Sequence, residues 1–504
     1  MTTTEPPPPG GGYSPHGKPP PEDDKAFFGQ PKGLQTLFAT EFWERYSFYG
    51  MRGLLVLFLT DTVANHGLGF STKTGNSFLG IYNSLVYLMA LPGGWIADRI
   101  WGARRSVLWG GIVIAAGHYV MVIPTKGTTF LGLALIVLGT GLLKPNISAQ
   151  VGDLYHTHDT RRDTGFTIFY MAINMGAFLA PLTAGWVGQH VNYHLGFGCA
   201  AIGMTFAVVF YIAQGKHLGT VGMWPPKPIA HRELRRTLLL TGLVLLVVVA
   251  IVVGWMAFTQ WSVAAFSDAL AAPIIATPFL YFGYMFGRGG LSSGEAPRLW
   301  AFVAFFIGAT VFWMIYDQSG SQLNLFAADK TNLSVFGWQM PAVWLQSANP
   351  FYIMVFAPIF AWMWERLGDR APRTTVKFAI ALIFIGLSFF VMSLAGKNAT
   401  PTHKASIAFL AVTYLLQTLG ELCLSPVGLS VTTQLAPARF AGQMLGLWFL
   451  ATAVGNALNV YVTKLSTVVS DFSYFLSIGC VALGMGVIAF LTAPFINRLM
   501  GDIR

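Results

Sequence analysis

From Thr237 to Trp255 the chain reads TLLLTGLVLLVVVAIVVGW, 19 residues without a single charge. Coiled as an α-helix, such a run spans the ~30 Å hydrocarbon layer of a bilayer while satisfying its own backbone polar groups. Comparable apolar segments recur at approximately 34–62, 76–97, 104–124, 128–150, 163–185, 192–214, 235–258, 268–287, 299–320, 341–363, 374–395, 404–424, 442–466 and 472–498. With 54% hydrophobic and 10% charged residues, the composition lies outside the range of soluble domains. An all-α membrane protein with 14 transmembrane helices is expected.

Charge sets the orientation. With the N-terminus inside, Lys73, Lys126, Lys330, Lys397, Lys404 and Lys464 lie on the outer side, Arg45, Arg52 and Lys144 lie within spans, and the other 22 of the 31 Lys and Arg face the cytoplasm. The net charge of +10 therefore resides in basic loops such as DRIWGARR, HRELRR and ERLGDRAPR, whose neighbours are anionic lipid headgroups rather than nucleic acid. The start, MTTTEPPPPGGGYSPHGKPPPEDDK, is rich in Pro and Gly and lacks an apolar core, so 1–33 reads as a disordered cytoplasmic tail and not a secretory signal. A proline-rich ligand is the weaker alternative for it. Cys199, Cys423 and Cys480 share no spacing, which leaves buried small residues as their expected role and gives no disulfide framework or metal site.

Internal similarity divides the chain. FWERYSFYG at Phe42–Gly50 matches FWMIYDQSG at Phe312–Gly320 at an offset of 270, ADRIWGARR echoes WERLGDRAPR near 267, and GTGLLKP matches GELCLSP at 281. Three pairs in chain order predict two parallel six-helix bundles, at 34–214 and 299–498, followed by a cytoplasmic tail at 499–504. The excess between them, 215–298, is a linker with two inserted transmembrane helices. The first of these is apolar on every face, which suits contact with lipid.

Seven ionisable groups fall well within the spans, away from their ends: Glu41, Glu44, Arg45, Arg52, Lys144, Asp317 and Glu421. Each costs about 2.5–3.5 kcal/mol at a lipid-facing helix centre, so they are expected to face an interior and to have partners. Intervals of three, four and seven gather the first four on one helix face. A static ion-pair network is the alternative, but it has too many members to be the simpler one. Counting along the helices puts Glu41, Glu44 and Arg45 in the inner half of the first and Arg52 in its outer half. Lys144 and Glu421 reach the same inner level from opposite halves, and Asp317 matches Arg52 near the outer surface. Two ion pairs at different depths are what two alternating gates require, since removing one partner of a buried pair costs about 3–5 kcal/mol.

Burial disfavours a charged carboxylate and a nearby cation restores it, which suits these carboxyls to carrying protons. Lys144 and Arg45 with Glu421 offer both signs, fitting a substrate with separated carboxylate and ammonium ends. Asn174, Asn349, Tyr49, Tyr87 and Trp448 fall near the same cavity as sources of hydrogen bonds and apolar walls, with helix packing the alternative for each.

Taken together these residues resemble the proton-dependent oligopeptide transporters of the major facilitator superfamily. EFWERYSFYG is similar to the family's first-helix signature, with Glu41, Glu44 and Arg45 in the matching places. GTGLLKPNIS and FYMAINMGA resemble two further signatures carrying Lys144 and Asn174, GGWIADRIWGARR resembles the superfamily's loop motif, and GELCLSPVGLS supplies Glu421. The likeness spans 34–498, and its inserted helix pair resembles bacterial members. It implies the major facilitator fold and symport of di- and tripeptides with protons, without a cofactor, in a monomer within the plasma membrane. Lys144 and Arg45 would hold the peptide carboxylate, while Glu421 and amides such as Asn174 receive its amino end. Glu41 and Glu44, with Arg45 and Glu421, would take part in proton coupling, and Lys144–Glu421 and Arg52–Asp317 would be the inner and outer gates. Tyr49, Tyr87 and Trp448 would accommodate side chains. Two departures stand out: Phe48 replaces a tyrosine of many relatives, and Asn83 stands where animal relatives carry histidine. His118 reads as a packed residue rather than that histidine's substitute.

An enzyme would need a metal site or an activated nucleophile, and H-E-x-x-H, G-x-S-x-G and P-loop patterns are all absent from the sequence. A channel does not explain paired gates. A transporter of the same fold for nitrate, a sugar or another metabolite is the closer rival, although a purely anionic substrate would gain little from Glu421.

Overall fold

The computed structural model describes residues 17, 19–21, 23–156 and 159–501. Fourteen long helices carry the fold: α1 (Lys32–Thr60), α2 (Thr72–Leu88), α3 (Ala103–Val122), α4 (Lys126–Asp153), α5 (Arg162–Ala180), α6 (Tyr193–Ala213), α7 (His231–Thr259), α8 (Val263–Arg288), α9 (Glu295–Tyr316), α10 (Ala348–Leu367), α11 (Thr374–Gly396), α12 (Ile407–Gln434), α13 (Ala441–Val462) and α14 (Asp471–Met500). Strands among the described residues are two-residue pairings in loops. The protein is a multi-pass, all-α membrane protein.

Among the described residues twelve helices, α3 to α14, are long and apolar enough to cross a membrane. The other two fall short for separate reasons. α1 has the length, but Lys32, Glu41, Glu44, Arg45 and Arg52 lower its apolar character. α2 stops after 17 residues, and the apolar run continues as a short helix, Ala90–Ile96, and a π-helical turn, Ala97–Trp101. Several starts have a physical marker. Thr125, Asn192, Ser262, Ser406 and Ser470 each accept a bond from a backbone N–H in the first turn of α4, α6, α8, α12 and α14, satisfying a donor the helix itself leaves unpaired. α7 is apolar and almost wholly exposed, with Leu238, Leu243 and Leu246 all on its surface; in a bilayer such a face is covered by acyl chains. Cys423 is buried as expected, whereas Cys199 is half-buried and Cys480 is exposed on α14, because an apolar helix presents residues to lipid as readily as to its core.

The chain separates into two compact units, Met1–Met51 with Leu88–Val247, and Arg52–Tyr87 with Val248–Arg504. Residues 52–87, which the repeat reading places in the first bundle, make their contacts inside the second unit: Asn324 Nδ2 donates to Gly53 O at 2.8 Å, Ser84 Oγ to Ala453 O at 2.8 Å, and Ser77 Oγ to Val460 O at 3.1 Å.

The first unit holds part of the region expected to be a disordered tail, of which residues 1–16, 18 and 22 lie outside the described residues. Asp24 Oδ2 accepts from Lys32 N at 2.9 Å at the start of α1, and its carbonyl accepts from Arg161 Nη1 at 2.9 Å. Tyr155 Oη donates to Gln30 Oε1 at 3.0 Å. Arg161 is held in turn by Asp159, 2.8 Å from Nη2 to Oδ2, and hydrogen bonds from that guanidinium keep the Asp159 carboxyl below its ordinary range.

Candidate functional site

In the first unit the site grows from one turn of α1. Glu41 and Arg45 are four residues apart and Glu44 adjoins Arg45, so helical geometry alone brings the three together. Arg45 Nε lies 3.1 Å from Glu41 Oε1 and also pairs with Glu44 Oε2, and all three side chains are buried. Lys144, half-buried on α4, acts on Glu41 electrostatically. Two carboxylates and two cations balance formally, which is what lets four charges share a low-dielectric setting.

Neighbouring positions explain how α1 is held. A Cβ on Gly176 of α5 would stand 2.3 Å from Phe42 O and 3.0 Å from Arg45 Cβ, so only glycine lets α5 approach the charged turn. Asn174, two residues before it, is buried and donates to Tyr170 O at 2.9 Å within its own helix. The Phe48 ring receives the Arg45 guanidinium at 5.2 Å from its centroid, a cation–π contact that needs no hydroxyl. Tyr49 is half-buried and packs against Tyr46, Ala180 and Ala184. His118 is fully buried on α3, and neither ring nitrogen has a hydrogen-bond partner among the described residues, in keeping with a packed residue.

The second unit holds two further centres. Glu421 of α12 accepts from Tyr316 Oη at 2.8 Å and from Asn349 Nδ2 at 3.2 Å, both at Oε2, and Asn349 also donates to Thr418 Oγ1 at 2.9 Å. These donors are neutral, so they orient the carboxylate without cancelling its charge. The other centre joins distant segments. Arg52 Nη2 lies 2.6 Å from Asp317 Oδ1, and Asn456 Nδ2 donates to Asp317 Oδ2 at 2.6 Å. Asp317 stands where α9 gives way to the 3₁₀ turn Asp317–Gly320.

Trp448 is buried, with its ring edge-on to Phe378 at 6.1 Å; Tyr87 is half-buried at the end of α2, and Asn83 is buried. The structure thus joins Glu41, Glu44, Arg45 and Lys144 in one unit, and Glu421 with Asn349, and Arg52 with Asp317, in the other. Sequence alone misses Tyr316, Thr418 and Asn456. An available signal for Asn456 was its amide within the apolar run ATAVGNALNV, because polar groups inside spans are kept for a partner.

A family model described as POT family, PTR2, matches residues 104–489. The chain is 44% identical to the Uncharacterized transporter YclF of Bacillus subtilis (strain 168), over 95% of this chain and 97% of that protein. It is 41% identical to the Di-/tripeptide transporter of Lactococcus lactis subsp. cremoris, over 95% of this chain and 99% of that protein. A crystal structure of the peptide transporter POT in complex with sulfate superposes with a TM-score of 0.90 at 42% identity, covering 96% of this chain and 98% of that one. A match of this extent, along nearly the whole length and in sequence and fold together, means that the chain belongs to the POT family.

Proposed function

We propose that this protein is a proton-coupled symporter that imports di- and tripeptides by alternating access between two helical bundles. The observation that carries the reading is the likeness along nearly the whole chain to named di-/tripeptide transporters, in a protein that buries cationic and anionic centres of its own. Arg45 and Lys144 supply cationic groups, and Glu421 presents a carboxylate that accepts from the neutral donors Tyr316 and Asn349. A zwitterionic peptide carries the two complementary charges at its ends. Lys144 and Arg45 hold its carboxylate, Glu421 with Asn349 and Asn174 receives its ammonium, and Tyr49, Tyr87 and Trp448 face its side chains. Glu41 and Glu44 exchange protons beside Arg45, and Glu421 joins them in coupling.

In this reading Lys144–Glu421 forms the inner gate and Arg52–Asp317 the outer one. The bundles are 34–214 and 299–498, with α7 and α8 as the inserted pair between them. The basic loops set both termini on the cytoplasmic side of the plasma membrane, lipids cover the outer faces, and one chain is the working unit. The test is uptake of labelled dialanine into proteoliposomes with an imposed inward pH gradient. Accumulation that a protonophore abolishes is expected. Equal uptake with and without the gradient rules out proton coupling, and no uptake rules out the substrate.

A further inference from the structure

Beyond the end of α9 a cavity of about 240 Å³ opens among segments of the second unit. Its walls come from Thr72 at the start of α2, the short helix Gln322–Lys330, the 3₁₀ turn Thr463–Thr467 and the first turns of α14. None of its lining residues is among those assigned to the peptide above. Part of the lining is apolar: Phe326 and Phe475 meet edge-on at 5.8 Å, Leu325 joins them, and all three are buried.

The polar groups present acceptors. Lys330 Nζ donates to Asp471 Oδ2 at 2.5 Å, which leaves Asp471 Oδ1 without a hydrogen-bond partner among the described residues. Asp329 is exposed at the rim and makes no ion pair among the described residues, while Lys330, Lys404 and Asp61 act on it electrostatically. Asp329, Asp471 and Lys330 sum to one negative charge, and Lys404 with Asp61 leaves that sum unchanged.

Gln322 supplies the observation that points to a ligand. It is 8% exposed, and its amide has one orientation. Thr463 O accepts from Nε2 at 3.4 Å, and a carbonyl only accepts. Ser466 Oγ accepts from Nε2 as well, because its own hydrogen is committed to Thr463 O at 2.7 Å. Oε1 is therefore turned away from both and has no hydrogen-bond partner among the described residues. A nearly buried carbonyl without a donor is unfavourable, and a ligand's N–H relieves it.

We propose that this cavity binds a primary ammonium group carrying a short apolar chain. Three N–H donors match three open acceptors, Gln322 Oε1, Asp471 Oδ1 and the Asp329 carboxylate, and the positive charge cancels the negative one left over. The chain lies against Leu325, Phe326 and Phe475. Lys330 opposes a divalent metal, and no group of three His, Cys, Asp or Glu side chains that could hold one gathers among the described residues. A quaternary ammonium lacks the hydrogen that Gln322 needs. Two sources present the required chemistry: a soluble amine, the N-terminus of a peptide included, and the ethanolamine headgroup of a lipid.

The probe is n-butylammonium chloride, titrated calorimetrically into the full chain in detergent. The Glu421→Gln background is used, so that the carboxylate assigned to a peptide's ammonium takes no part. Saturable binding is expected. Asp329→Asn, at an exposed position, weakens it about tenfold, the size of one charge-assisted hydrogen bond, and so does Gln322→Leu. Lys330→Gln tightens it several-fold because the cavity has lost its own cation, an effect opposite in sign to that of damaged structure. Tetramethylammonium and n-butanol bind about tenfold more weakly than the probe or not at all. Absence of binding, equal binding of tetramethylammonium, or binding unchanged in both Asp329→Asn and Lys330→Gln overturns the proposal. If Gln322→Leu cannot be recovered folded, the other two variants decide. Repeating the titration in nanodiscs separates the sources: weaker binding in phosphatidylethanolamine than in phosphatidylcholine identifies the headgroup as the occupant, and equal binding identifies the soluble amine. No step of the assay needs transport, so failure of the peptide reading leaves its result standing.

Discussion

α1 carries two arginines seven residues apart, and their surroundings differ in kind. Arg45 finds Glu41 and Glu44 within its own helix, whereas Arg52 finds Asp317, 265 residues further along the chain. A proton can move among the groups around Arg45 while α1 stays rigid, because the partners ride on the same turn. The Arg52 contact instead joins α1 to the end of α9, so displacement of one against the other strains or breaks it. In the proposed function the first centre stores charge and the second reports helix position. A coupled carrier needs both.

The comparison is broken most severely at Arg45. Arg45→Leu removes the guanidinium that both buried carboxyls share and leaves Lys144 as the remaining cation of the group, so a stability loss of about 3–5 kcal/mol is expected, together with abolished dialanine uptake. Thermal unfolding in detergent and vesicle uptake check the two parts. Arg52→Leu is expected to be milder for the fold, at about 1–3 kcal/mol, because Asn456 still satisfies one oxygen of Asp317. Its signature is impaired uptake in a protein that unfolds near the wild-type temperature. A larger destabilisation than Arg45→Leu in the same assay contradicts the distinction between local and long-range centres.

Phe48 sharpens the comparison, since it belongs to the Arg45 centre alone. Phe48→Ala removes a cation–π contact of about 0.5–2 kcal/mol, while Phe48→Tyr keeps the ring and the contact. The expectation is a lower melting temperature for the first and little change for the second. The smallest effect lies at the segment 23–31. Asp159 positions Arg161 against Asp24 O, and its carboxyl is held below the ordinary range. A carboxyl whose folded value is depressed stabilises fully above its unfolded value of about 3.9 and loses that contribution as pH falls through the folded value. Hydrogen exchange at residues 23–32 is therefore expected to stay flat from neutral pH down to about pH 4 and to quicken below it, after correction for the intrinsic rate.

These two arginines also show what a sequence discloses. The triad around Arg45 is legible because helical spacing dictates its contacts, and the long helices are legible because each apolar run declares itself. Glu421 is legible as an expensive charge, but its donors Tyr316 and Asn349 come from other helices, 105 and 72 residues away. Asn456 lies 139 residues from Asp317, and no periodicity links two such positions. The stack of Arg45 on Phe48 was within reach, because three residues on is the same helix face; reading Phe48 only as a missing hydroxyl concealed it. The break of α2 near Met89 and the turn at Ala97–Trp101 were not legible, since hydropathy continues through both.

The most direct test of separate storage and reporting is Glu41→Gln, assayed for dialanine counterflow and for gradient-driven accumulation in one preparation of proteoliposomes. Counterflow close to wild type with accumulation lost is the expected result, because the amide keeps the shape of the turn and removes its proton site. Accumulation at the wild-type level would show that Glu41 carries no proton and would contradict the account.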